Sequence, residues 1–234
     1  FWDARARSLE EQAELVLFSP VEMAMPGKER VEKVLRSIPG YRERFASAFP
    51  EDREPVSFAT TVVALAEFQR TLHTPGRFDR FVAGEIDALD ARERRGLELF
   101  LNKGCAACHR GPILGSLTLK LKSPIADPKR PLLAPILESL GDEFQFKVPQ
   151  LRNIAATAPY LHDGSAGDLE TAIRSRLEAY QYGFRPRRTR VTFTAEQLGD
   201  LVAFLSSLSG ESTGAKAEPA LPASGPDTPG PDRS

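Results

Sequence analysis

Cys105-Ala106-Ala107-Cys108-His109 decides the reading of this 234-residue chain, and it contains both of its cysteines. In the C-x-x-C-H order one helical turn separates the two sulfurs. Each can then reach one vinyl group of the same porphyrin, and the adjacent imidazole lies under the iron as proximal ligand. Cys105 and Cys108 are therefore the expected attachment points of a c-type haem, and His109 the expected iron ligand. A zinc site would need four ligands, and beyond the cysteines the chain has only His73, His109 and His162. A thioredoxin-like redox pair wants a βαβ setting that the flanks lack.

The flanks are helical. Asp90 with Glu93 forms a capping pattern, Leu97, Phe100 and Leu101 give an apolar stripe, and Gly104 ends the helix. Thr194 with Gln197 opens the clearest helix, striped by Leu198, Leu201, Val202, Leu205 and Leu208 and ended by Gly210. A cytochrome c fold crosses a first and a last helix closely, and Gly96 would permit that approach. Between them, Gly111 to Pro149 is proline-rich and reads as loop with one short helix, Leu132 to Leu140. Leu117 to Leu121 alternates as a short extended segment would, and Asp168 to Tyr180 is helical.

Upstream, Ser8 with Glu11 is a capping box before Leu9, Ala13, Val16 and Leu17. Gly27 to Ile38, Tyr41 to Phe49 and a longer run from Pro55 to Thr74 give three more helices. The expected fold class is all-α, with cytochrome c-like haem domains. Three segments are expected: 1–89, 90–210 with the covalent haem, and a disordered tail over 211–234. That tail holds five prolines and a single large apolar residue, Leu221, too little to offset its ordering entropy.

Composition sets outer limits. The 31 Lys and Arg nearly cancel the 32 Asp and Glu, so no chain-wide basic field for nucleic acid exists. No apolar run nears the roughly 18–20 residues of a membrane span; the best is Val62 to Ala66. Residue 1 is Phe, and the reading expects a processed or truncated piece. Covalent haem attachment takes place outside the bacterial cytoplasm, so a periplasmic or exported protein is expected.

Several spaced motifs resemble the bacterial di-haem cytochrome c peroxidase family. Phe1 to Ala6, Leu9 to Ala13 and Glu22-Met23 resemble its FWDGRA, LEEQA and EM run. Phe78 to Phe81 resembles the stretch before its second haem motif, and Gly104 to Pro112 that motif itself. Phe146 to Asn153 and Thr157 to Ser165 resemble its FKVPxLRN and TAPYxHDGS signatures. The resemblance implies reduction of hydrogen peroxide at a haem in the N-terminal half. Electrons from a small cytochrome or cupredoxin would enter through a C-terminal haem. A related branch matures a tryptophan-derived quinone. The alternative is a mono-haem electron-transfer or redox-sensing cytochrome without peroxidase activity.

The resemblance also implies roles for residues. Gln12 and Glu22 match distal residues, Gln orienting peroxide and Glu moving its proton. Trp2 matches the Trp between the two haems. The backbone carbonyls of Thr157 and Pro159 match ligands of a calcium ion. Family members are often homodimers. Three departures stand out. The first haem motif, normally upstream of the FWDGRA run, does not occur, so a second haem is expected upstream. Arg176 falls where the family has a Met or Tyr as sixth ligand, and a guanidinium has no lone pair for iron. Ala4 replaces a Gly, which reads as a small change. His162, Tyr180 and Tyr182 are alternative sixth ligands, Arg176 is a possible partner of a haem propionate, and Arg185 to Arg190 is a possible basic docking patch.

Overall fold

The helix starts follow from short side chains that satisfy the first orphan amides. Ser57 and Thr60, Asp90 and Glu93, and Thr194 and Gln197 all form reciprocal capping boxes. Ser8 accepts from the Glu11 amide at 3.1 Å. The Glu11 carboxylate does not return to Ser8 as expected, but takes the Arg7 amide at 2.7 Å. The structure, a computed structural model, describes residues 1–2, 4–121, 144–161, 163–183, 191–212 and 220–230. The expected helix at Leu132 to Leu140, His162 and the basic run at Arg185 to Arg190 lie outside the described residues.

Among the described residues the α-helices are α1 (Leu9–Phe18), α2 (Lys28–Ser37), α3 (Pro39–Ala48), α4 (Phe58–Thr71), α5 (Arg77–Val82), α6 (Ala91–Asn102), α7 (Leu169–Gly183) and α8 (Ala195–Ser207). The all-α class holds, with one addition. The segment expected to be extended is β1 (Ser116–Leu121), and it pairs antiparallel with β2 (Phe144–Val148). The loop reading of 111–149 is corrected to that extent. Helix α5 was also not foreseen; it is a six-residue turn capped by the Asp79 carboxylate on the Gly76 amide. No helix among the described residues is long and apolar enough to cross a membrane.

The chain divides into two units. One unit comprises Phe1–Arg5 and Thr74–Ser212, the other Ala6–His73 and Thr213–Ser234. Side-chain contacts join α5 to the rest of the first unit. Arg77 of α5 pairs with buried Glu93 of α6, Asp79 pairs with Arg152, and Phe78 sits edge-on to Phe204 at 5.6 Å.

In the first unit α6 crosses α8 at Gly96. A Cβ there would overlap the Asp200 carbonyl oxygen and lie 2.7 Å from the Phe204 Cβ. The close helix crossing read from Gly96 is thus present. Phe100, Leu201, Phe204, Leu205 and Leu208 form the core beneath it. Leu101, expected in the stripe, is instead exposed.

In the second unit Ala13, Val31, Phe58 and Val62 are buried together, with Phe18 stacked on Phe58 at 5.3 Å. Residues 220–230 carry no regular element, yet they are bonded to this unit. Arg44 donates to the Ala220 carbonyl at 3.0 Å, the Ser37 and Thr228 hydroxyls are 3.0 Å apart, and a Cβ on Gly40 would strike Pro222.

Candidate haem site

Gly104, at φ 96°, ends α6, and Cys105–Ala107 form one tight 3₁₀ turn. The turn carries both cysteines unbridged, each half-buried. Burial pushes the Cys105 thiol up, which disfavours the exposed low-pKa thiolate of a redox pair. His109 follows on the same turn, its amide donating to the Cys105 carbonyl at 3.0 Å.

The imidazole is oriented by two backbone carbonyls. His109 Nδ1 lies 3.2 Å from the Leu114 oxygen and 3.2 Å from the Pro149 oxygen. Both can only accept, so Nδ1 carries the proton and Nε2 keeps its lone pair for a metal. Burial pushes the imidazole below its ordinary pKa, and the Arg176 charge acts the same way, against the two carbonyls. The neutral form that a metal needs is therefore favoured. Half-buried Cys105, Ala106, Leu114, Leu151, Leu161, Ile173 and Phe193 pack against the core. The turn fits a c-type haem: two sulfurs and an oriented neutral imidazole beside an apolar core.

Backbone strain gathers at this site. Leu114 and Leu161 adopt φ of 48° and 70°, in the left-handed region that bulky side chains avoid. The strained Leu114 supplies one of the two carbonyls that hold His109.

The other expected residues divide between the units. Gln12, on α1, is half-buried, and its Oε1 accepts from Gln69 of α4 at 3.2 Å. Glu22 is exposed on the turn after α1, its amide donating to Ser19 at 3.0 Å. Trp2 belongs with the haem-motif unit: its carbonyl accepts from the Lys147 amide at 2.7 Å, while its side chain is 63% exposed. Thr157 and Pro159 are exposed on one turn. No cluster of three or more His, Cys, Asp or Glu suited to a metal occurs among the described residues. Arg176 is exposed on α7; Tyr180 and Tyr182 lie on the same helix, where only the backbone is described. Sequence reasoning missed the partners of His109 and the Gln69 contact, because carbonyls and distant amides leave no local pattern.

Fold and site together define a cytochrome c-type haem protein. A model of the cytochrome c family matches residues 93–209, and one of the di-haem cytochrome c peroxidase family matches residues 1–87. The chain is 39% identical over 238 residues to cytochrome c551 peroxidase of Nitrosomonas europaea, covering 98% of this chain and 66% of that protein. It is 36% identical over 239 residues to cytochrome c551 peroxidase of Pseudomonas aeruginosa, covering 99% and 66%. A crystal structure of a MauG-like protein associated with microbial copper homeostasis superposes with a TM-score of 0.67 at 30% identity, over 95% of this chain and 72% of that one. This chain belongs to the di-haem cytochrome c peroxidase family, and its cofactor is covalent haem c. It spans just under two thirds of the length of these two peroxidases.

Proposed function

We propose that the chain works in the reduction of hydrogen peroxide to water, with Cys105 and Cys108 bonded to the haem and His109 on its iron. Two electrons and two protons convert one peroxide to two waters. The electrons come singly from a small periplasmic cytochrome or cupredoxin and enter through this haem. The observation that carries the reading is the oriented imidazole: a neutral ring with Nδ1 committed to two carbonyls and Nε2 left for iron. The family relationship supplies the peroxidase class.

The remaining roles follow the same reading. Glu22 moves a proton from the near to the far peroxide oxygen, and its exposed position lets it exchange protons with water. Gln12 orients the peroxide with its amide. Trp2 helps electrons cross, and its carbonyl is bonded two residues from Pro149, which holds His109. The Thr157 and Pro159 carbonyls serve a calcium ion, for which hard oxygen donors are suited.

Glu22→Gln in protein expressed from the complete gene tests this. Peroxide turnover is expected to fall by at least about 100-fold with haem content unchanged. Retained turnover overturns the role. A mono-haem carrier or sensor is the second reading, favoured by Arg176 at the sixth-ligand position. Intact mass separates the two: two covalent haems support the peroxidase, one supports the carrier.

A further inference from the structure

His109 is held by carbonyls from two segments that are far apart in sequence, the 111–114 turn and the end of β2. Its orientation is only as fixed as the distance between those segments. Two further bonds tie them together. The Leu151 amide donates to the Ile113 carbonyl at 3.3 Å, and Arg152 Nε donates to the Pro112 carbonyl at 3.0 Å. Arg152 does more than bridge loops. Its Nη1 and Nη2 form a fork on Asp79 at 2.7 and 2.6 Å, and Asp79 in turn accepts from the Gly76 amide at 2.7 Å. The guanidinium also lies 5.2 Å from the centroid of Phe78, whose ring meets Phe204 of α8. The Arg152 side chain is 15% exposed and that of Asp79 36%, so the fork between them is half-buried, while the bond to Pro112 is exposed.

We infer that Arg152 is the positioning residue of the proximal histidine. It transmits the location of α5 and α8 to the Pro112–Leu114 turn and holds that turn in its strained form, with the Leu114 carbonyl on Nδ1. The inference rests on His109 being the iron ligand. An imidazole whose Nδ1 proton is firmly bonded is a stronger donor to iron and stabilises the oxidised state. Loosening the turn therefore raises the reduction potential of this haem. Neutralising Arg152 by simple electrostatics would do the opposite, since loss of a positive charge favours the ferric state. Lysine keeps the charge but cannot serve Asp79 and Pro112 at once.

The test compares Arg152→Lys and Arg152→Met in the haem-loaded protein, reading midpoint potential and covalent haem content. Both variants are expected to shift this haem's reduction equilibrium upward, by about threefold to tenfold, the latter being 59 mV for one electron. An unchanged potential, or an unchanged Lys variant with a downward-shifted Met variant, overturns the inference. Loss of haem or of folding with no shift in the remaining holoprotein does so too. His109→Met controls for the underlying reading. A haem spectrum that does not change in this variant shows that His109 is not the ligand, a failure distinct from that of Arg152.

Discussion

Ala4 shows how a residue that looks harmless on paper can carry strain. Its φ is 55°, in the left-handed region where an L side chain costs roughly 1–2 kcal/mol and glycine costs nothing steric. The exchange of Gly for Ala read from the sequence as small is therefore not small at this position. Ala4→Gly is expected to raise stability by about 0.5–1 kcal/mol once the extra freedom of glycine in the unfolded chain is subtracted, measured by thermal unfolding. A lower melting temperature would show that the strain is relieved by other means. At the same scale the C-x-x-C-H turn was legible, because its spacing is fixed and local. What orients its histidine was not. Pro149 lies 40 residues from His109, and it acts through a carbonyl, which every residue has. Arg152 was visible as one letter of a motif, while its bonds to Asp79 and Pro112 depend on the folded chain.

Elements were legible wherever the signal is local. Capping boxes at Asp90 and Thr194 fixed both helices of the central crossing, and the glycine between them foretold how closely they approach. Gly96→Ala should accordingly be severe for so small a change, destabilising by about 3 kcal/mol as the helices part, which denaturant titration of the holoprotein would read. A cost near zero would mean the crossing relaxes freely. Local signals fail for β2 and α5. A strand needs its partner 23 or more residues away, and a six-residue helix owes its existence to Asp79 and Arg77 finding partners elsewhere. The contacts of residues 220–230 with Ser37, Gly40 and Arg44 were equally illegible, because they join positions more than 170 residues apart.

Across the whole molecule, acid sensitivity follows from carboxylates committed to arginines. Arg95, with Arg92 beside it, holds the buried Asp200 carboxyl below the usual range. Burial by itself raises Asp79, but the Gly76 amide and Arg152 outweigh it and leave it lowered. In the other unit the Arg70 hydrogen bond holds Glu10 at about 2. Each is deprotonated more readily folded than unfolded, so its stabilising effect is complete above the unfolded value and is lost as pH falls through the folded one. The contribution of these carboxylates should be constant above about pH 5 and decline as the pH falls below it, and Asp200→Asn should flatten that decline. An acid limb unchanged by that substitution would place the sensitivity elsewhere. The two units are also interleaved along the chain, 6–73 with 213–234 around 74–212. The Arg44 bond to Ala220 joins positions 176 residues apart, and an intervening stretch already gathered into the haem-motif unit has less freedom left to lose, so the second unit is expected to close more readily once the first has formed.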